Sequence, residues 1–391
     1  ALVIHLLRDE EDAALIQEPW VVDGQVRGIR APGYTLCYRR GEGRPRSCIL
    51  LKNKHNGFLL NNFSEDDITT VALETRDHIY WLPSIYMPSE KSDPPSAITR
   101  SMVTAAQRCK AVLVIACDAN AHHTIWGSSD TNVRGESLFD YILCENLHIC
   151  NRGREPTFIT SNREEVLDLS IVSQGISSRV NNWKVSTEHS FSDHRYIVFS
   201  LRGTADDSIH PVRNIRKTIW TRYRTEEEAS LPNTPEVITS RKELDSNVDR
   251  FSNALKRALG VACTIRNPKG KRKPPWWNHS LMETRKGCRR LFNKAKASKE
   301  AHLWNKYKAA LSGYKKELRM AKRNLWKTFC ESIMSTSEAC RLRRILSSSP
   351  ASISSLRKED GSWTMSKMES LDLLVDTHFP GNSHTRYLNC T

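Results

Sequence analysis

The chain predicts a mixed α/β protein, two sheets packed face to face with helices outside, followed by a basic and mainly helical extension. Three observations carry this. Short apolar runs alternate with helix-like stretches up to about residue 202. One of those runs, AVLVIACDAN at 111–120, is unbroken, as in strands buried on both faces. Charge is also divided: residues 1–202 hold 22 Lys+Arg and 25 Asp+Glu, whereas 203–391 hold 37 and 19. A basic excess of that size points to a polyanionic partner, nucleic acid above all, with a solvated helix surface as the plain alternative.

Taken in order, AALIQEP (13–19) reads as a strand ended by Pro19. CILLKN and GFLLNNF read as strands around a turn at 55–57, and 68–74 with 79–87 as a second pair around 76–77. Residues 96–110 have helical spacing, 134–147 likewise, and HIC follows as a short strand. TFITSN and VLDLSIVS look like a hairpin, and YIVFSL (196–201) closes the region. Residues 202–214 read as a linker, RKPPWWN (272–278) as a break, and Leu281 to about Ile333 as a basic helix without Pro. Trp304, Tyr307, Leu311, Tyr314, Leu318, Ala321 and Leu325 fall on one stripe of it, a core or partner seam. SSSPASISSL (347–356) reads as a flexible joint. The expected division is an α/β domain at 1–202, a linker with short helices at 203–275, a basic helical spacer at 276–346 and a further region at 347–391.

Composition excludes several classes. With 39% apolar residues and no run of eighteen, no membrane span is expected. None of the eleven cysteines forms a CxxC pair, so Cys117 and Cys150 are read as buried or free thiols rather than metal ligands. The chain starts at Ala1 without Met and reads as if it begins inside a domain, so a fragment is expected.

Chemistry-bearing residues gather at strand ends, where a rigid strand delivers a side chain to a cleft. Glu18 follows ALIQ directly and would be a hard oxygen ligand for Mg²⁺. Asp118 and Asn120, at i and i+2, would face one side with Ala119 turned away, fit to hold and polarise a water; an Asx turn capping the strand is the alternative. Asp168 alternates with Leu167 and Leu169 and needs a partner, for which His194 is the natural candidate. Asp193 would face away from His194 and complete a metal site with Glu18. Tyr86, near the end of WLPSIY, could donate to a phosphate oxygen or be an ordinary strand aromatic. Together these residues suit metal-assisted hydrolysis of a phosphate ester.

The motifs QEP, IYMP, CDANAHHTIWGS, TFI…VLDLSIVS and SFSDHRYI, in this order, resemble those of the endonuclease/exonuclease/phosphatase superfamily. More narrowly, HHTIWGS and the Arg-Gly of NVRGESLFDYI resemble the apurinic-type endonuclease domain of non-LTR retrotransposons. The resemblance covers residues 1–202 and implies a four-layer α/β sandwich dependent on Mg²⁺, with Mn²⁺ as a substitute. It implies catalytic roles for His194, Asp168, Asp118, Asn120 and Tyr86, and metal binding by Glu18 and Asp193. Thr157 and Ser192 are the implied substrate-binding residues, Thr157 near the DNA backbone. The family's first strand with its active-site Asn should precede Glu18 and has no counterpart here. PPWWN, AKRNLWKTFCESI and LLVDTHFPG resemble the spacer leading toward a reverse transcriptase.

The expected function is a DNA endonuclease that nicks target DNA and leaves a 3′-hydroxyl to prime reverse transcription. Target DNA, element RNA and a reverse transcriptase domain are the expected partners, with action in the nucleus after import from the cytoplasm. The alternatives are a small phosphate-ester phosphatase of the same superfamily and a degenerate, inactive copy that only binds nucleic acid. Loops 88–96 and 174–190 would set target preference.

Overall fold

A computed structural model describes the chain except for residues 1, 42, 56, 76–77, 91–93, 189, 203–211, 214–217, 232–239, 264, 267–273, 348–353 and 379–391. Most of the expected linker, the centres of the two expected turns, part of the 88–96 loop and the last residues of LLVDTHFPG lie outside the described residues.

Packing divides the chain into a unit of residues 1–204 with 272–391, and a smaller unit of 205–271. In the larger unit, α1 (Leu2–Asp9) leads to β1 (Ala13–Gln17), β2 (Val21–Val22), β3 (Gln25–Val26), β4 (Tyr34–Cys37) and β5 (Ser47–Lys52). Then come β6 (Gly57–Leu59), β7 (Ile68–Glu74), β8 (Ile79–Tyr86), α2 (Ala97–Arg108), β9 (Val112–Asp118), α3 (Val133–Cys144) and β10 (Leu147–Ile149). The α/β part ends with β11 (Phe158–Ile159), β12 (Glu164–Glu165), β13 (Asp168–Ser173), β14 (Val180–Val185) and β15 (Ile197–Leu201). The smaller unit holds β16 (Val212–Arg213), α4 (Trp220–Ser230), α5 (Arg241–Ala262) and β17 (Ile265–Arg266). The larger unit resumes with α6 (His279–Ser298), α7 (Ala301–Glu331), α8 (Thr336–Ser347) and α9 (Lys367–His378).

The centre is a six-stranded sheet in the order β10-β13-β9-β8-β7-β6. Only β8 and β9 are parallel, and α2 is the crossover that a parallel pair requires. One face packs Trp81, Leu113, Ile115 and Leu169 against Met102 and Val103 of α2 and Leu138 and Ile142 of α3. The other face sets Val71, Leu82, Val114 and Val172 against a second layer, the β1-β5-β4 sheet and the β14-β15 pair. Each fully buried Leu, Ile or Phe there contributes roughly 1.5–3 kcal/mol. On the far side of β1-β5-β4, Val21 and Val26 of the β2-β3 hairpin cover Ile16, Leu36 and Cys48. Helix α1 flanks β4 and β15: Tyr34 Oη donates to the Leu6 carbonyl at 3.2 Å, and His5 stacks on Tyr196 at 5.1 Å. The layered α/β fold with a mainly helical continuation is therefore as expected, and Cys117 and Cys150 are buried free thiols.

Several local expectations are corrected. β5 and β6 do not pair: β5 joins β1 and β4 while β6 joins β7, so the two strands belong to different sheets. The hairpin after Thr157 is β11 with β12; β13 instead lies between β9 and β10. The 174–190 loop contains β14, in which only Val180, Trp183 and Val185 point inward. A register shift between Asn181 and Lys184 explains why strict alternation fails there. The long basic helix is two helices: Lys299, with φ 57°, ends α6 in the left-handed region. Of the expected joint, the described end forms structure, since Ser354 bridges Leu59 on β6, Ser355 N–H donates to the Leu59 carbonyl at 3.0 Å, and Asn61 N–H donates to Ser355 Oγ at 2.7 Å.

The four-part division also differs from the packing. The stripe on α7 is packed as far as Ala321 while Leu325 is exposed, and part of that core belongs to the α/β part: Trp304 and Tyr307 bury Ile159 of β11 together with Ala295 and Leu303. Tyr314 packs on Leu281, Cys288 and Phe191. PPWWN starts α6, whose first turn is capped by Asn278 accepting from Leu281 N–H at 2.9 Å.

The Arg-Gly before the α3 core has a packing reason. Helix α3 abuts the 120–123 segment so closely that a Cβ on Gly135 would lie 1.7 Å from the His122 carbonyl oxygen. Gly135→Ala is expected to destabilise the larger unit by about 1–3 kcal/mol, measured by denaturant unfolding, because backbone rather than a flexible side chain must yield.

Candidate active site

Sheet register builds the site. Tyr86 at the end of β8 pairs with Asp118 at the end of β9, and Asp118 pairs with Asp168 at the start of β13. In-register neighbours project from the same face, so the phenol and two carboxylates stand in one row across three adjacent strands. One rung below, Gln17 of β1 reaches across from the second layer: its Nε2 donates to Ser84 Oγ at 3.0 Å and to the Ala116 carbonyl at 3.1 Å. Glu18 follows at φ 48°, a left-handed turn that takes its side chain off the strand. Its charge acts on Tyr86, Asp118 and His194, which places it at the same site.

His194 comes from the segment before β15. Its Nδ1 lies 2.9 Å and 3.1 Å from the two Asp168 carboxylate oxygens, and its Nε2 lies 3.8 Å from Asp118 Oδ2. Asp118, Asp168 and His194 can each offer a ligand atom within 4.8 Å of the others. Asp118 is only 3% exposed. Burial, then the Asp168 charge, push its carboxyl up to about 7, against the opposing pull of His194. Burial alone would lower the His194 imidazole, but its hydrogen bond to Asp168 and the charges of Asp168, Asp118 and Glu18 outweigh that and raise it to about 9. Burial and Glu18 push the Tyr86 phenol up to about 12, and the Arg46 guanidinium lies 5.0 Å above its ring.

Asn120 does not reach the site by strand alternation. β9 ends at Asp118, and Asn120 sits at φ 46°. Its N–H donates to Asp118 Oδ1 at 3.3 Å, an Asx turn, and its Nδ2 donates to the Met87 carbonyl at 3.1 Å. The turn and the site are thus one feature. Asp193 stands apart: it is exposed, and its charge acts on the Tyr307 phenol of α7, while its carbonyl accepts from Ile159 N–H at 2.8 Å. The structure does not bring its carboxylate into the Asp118–Asp168–His194 group. Ser192 is exposed, and its Oγ accepts from His194 N–H at 3.3 Å.

Thr157 is placed differently from its substrate-binding expectation. It is fully buried. Its Oγ1 accepts from the N–H groups of Leu167 and Asp168, both at 3.0 Å, and its carbonyl accepts from Arg195 N–H at 2.7 Å. One residue therefore ties the strand of Asp168 to the segment of His194. Sequence reasoning missed Gln17, Asn151 and Arg134. Asn151 donates to the Asp168 carbonyl and accepts from Ser170 N–H, both at 2.9 Å, and so braces β13. Arg134 donates to the Met87 and Ala119 carbonyls at 3.3 Å. The Arg-Gly motif was the available signal for Arg134; Gln17 and Asn151 are polar residues beside strands with nothing further to mark them.

A family model described as endonuclease-reverse transcriptase matches residues 80–198. The endonuclease domain of TRAS1, a telomere-specific non-LTR retrotransposon, is similar in structure with a TM-score of 0.44 and 25% identity, over 51% of this chain and 90% of that one. The AP endonuclease LMAP from Leishmania major gives 0.39 and 15%, over 48% and 79%. An AP endonuclease from Archaeoglobus fulgidus gives 0.36 and 12%, over 51% and 93%. No curated protein matches the chain. The matched segment holds Tyr86, Asp118, Asn120, Asp168 and His194, and the match supports placing the α/β part in the endonuclease/exonuclease/phosphatase superfamily, a class of nucleases and phosphoesterases. Within that class the matching family is the endonuclease-reverse transcriptase one.

The Asp168–His194 pair gives a pH signature. The imidazole is raised from 6.5 to about 9, so the pair stabilises the fold fully below about pH 6.5 and loses that contribution as pH rises through about 9. Asp168→Asn should lower the His194 pKa in an NMR titration of the metal-free protein, and its stability deficit should shrink between those two pH values.

Proposed function

We propose that this chain is a Mg²⁺-dependent DNA endonuclease of a non-LTR retrotransposon, nicking one strand and leaving a 3′-hydroxyl that primes reverse transcription. The observation that carries the reading is the row Tyr86–Asp118–Asp168 closed by His194 and approached by Glu18. The donor set fits a hard divalent cation: three carboxylates surround one imidazole, and Asp118 is buried with His194 Nε2 no nearer than 3.8 Å. Glu18 and Asp118 would hold it, with Mn²⁺ as a substitute, and it would neutralise charge on the phosphoryl oxygens.

The chain's own groups supply the rest. Asp168 fixes the His194 ring by taking Nδ1, which leaves Nε2 facing Asp118 and the open side, a donor for a phosphoryl oxygen. Asp118, one oxygen held by the N–H of the Asn120 turn, accepts a hydrogen bond from the attacking water and orients it. Water adds to phosphorus and gives up its proton to solvent, the bond to the 3′ oxygen breaks, and that oxygen takes a proton from solvent to leave as the hydroxyl. Ser192 lies open to a substrate backbone. Exposed Lys286, Arg290, Lys294, Lys306, Lys308 and Lys315 on α6 and α7 suit phosphate contacts to DNA or element RNA, with salt-sensitive affinity. A reverse transcriptase domain would use the primer, and the work would be done in the nucleus.

Plasmid nicking in Mg²⁺ tests this. The chain is expected to convert supercoiled to open-circular DNA, and His194→Ala to slow it by about 10²–10⁴-fold. Undiminished nicking by His194→Ala, or faster phosphate release from small esters than nicking, would overturn the reading; a chain inert towards both would mark a copy that only binds nucleic acid.

A further inference from the structure

The α6–α7 hairpin meets the α/β part at two loops, 155–159 and 187–193. On the first, Lys296 Nζ lies 3.3 Å from Glu155 Oε1, and Ile159 is buried under Trp304 and Tyr307. On the second, Arg285 donates to Glu188 Oε2 at 2.9 Å, and the Phe191 ring stacks on Tyr314 with centroids 4.6 Å apart and planes 22° from parallel. These are the loops that hold the site. Thr157 on the first ties Asp168 to Arg195, and the second runs directly into His194. Phe191 adopts φ 63°, a left-handed conformation that an aromatic residue keeps only where its surroundings impose it. The surroundings here include Tyr314, itself 1% exposed.

We propose that the α6–α7 hairpin is a positioning element of the nuclease: by clamping loops 155–159 and 187–193 it sets His194 against Asp168 and Asp118, with Tyr314 the positioning residue at the centre of the clamp. The hairpin is thus part of the scaffold of the site as well as a basic surface. Its catalytic consequence rests on the nuclease reading above; its structural consequence does not. Tyr314 Oη is buried without a hydrogen-bond partner among the described residues, so the ring rather than the hydroxyl makes the clamp.

The test uses the full chain with Tyr314→Ala, Tyr314→Phe and Arg285→Gln, reading amide hydrogen exchange across 187–195 together with kcat and KM for plasmid nicking. Tyr314→Ala is expected to speed exchange in 187–195 by about tenfold or more while β9 and β13 stay protected. It should lower kcat by about tenfold or more with KM little changed, because a misplaced group costs turnover rather than binding. Tyr314→Phe should restore both. Should Tyr314→Ala unfold β9 and β13 as well, Arg285→Gln, which removes only the ion pair to Glu188, decides by the same two readouts. Unchanged exchange and kcat in a folded variant overturn the proposal. So does a loss confined to KM with the loop still protected, which would make the hairpin only a nucleic-acid surface. If the wild-type chain nicks nothing, the nuclease reading falls and the exchange result alone judges the clamp.

Discussion

Everything at the site depends on the register of three strands. β8, β9 and β13 are locked by apolar packing on both faces of the central sheet, and that lock brings Tyr86, Asp118 and Asp168 into one row. A slip of one residue would turn Asp118 toward the opposite face and bury Cys117 or Ala119 where the carboxylate now stands. The row places two acids side by side in a mostly buried setting, which is unfavourable by itself. His194 is the protein's own answer to that repulsion, and the residual negative charge is what makes the place receptive to a cation.

The rest of the molecule can be understood as support for that row. Gln17 pins the second layer to the sheet one rung below it. Arg134 and Asn120 gather on the Met87 carbonyl, so the ends of β8 and β9 are held by polar contacts as well as by the ladder. Thr157, Asn151 and the clamp from α6–α7 do the same for β13 and the His194 segment. The polar side chains near the site are mostly committed to backbone groups, and this rigidity is what a preorganised site needs.

How far this was legible in the sequence differs from residue to residue. Asp168 facing His194 could be read, because an acid alternating with leucines in a strand demands a partner. β9 could be read, because few segments other than a doubly buried strand are apolar for so long. Asn120 was found for the wrong geometric reason: it sits at left-handed φ, as Glu18 does, which neither periodicity nor composition marks. β14 was missed because its outward residues are Asn, Asn and Lys and its register shifts midway. The break at Lys299 was invisible since neither Gly nor Pro occupies it. Thr157 shows a different limit. A motif can mark a residue that matters without saying whether it touches the substrate or holds those that do.

The bridge from Ser354 to β6 has a consequence for the company the molecule keeps. An outermost strand with free N–H and carbonyl groups is a template onto which a foreign strand can add. Here the chain lays its own backbone on that template and seats Met365 among the sheet's apolar side chains. A shortened piece ending at residue 204 would bare that rim together with Ile159 and Phe191, and would be sticky in a way the longer chain is not.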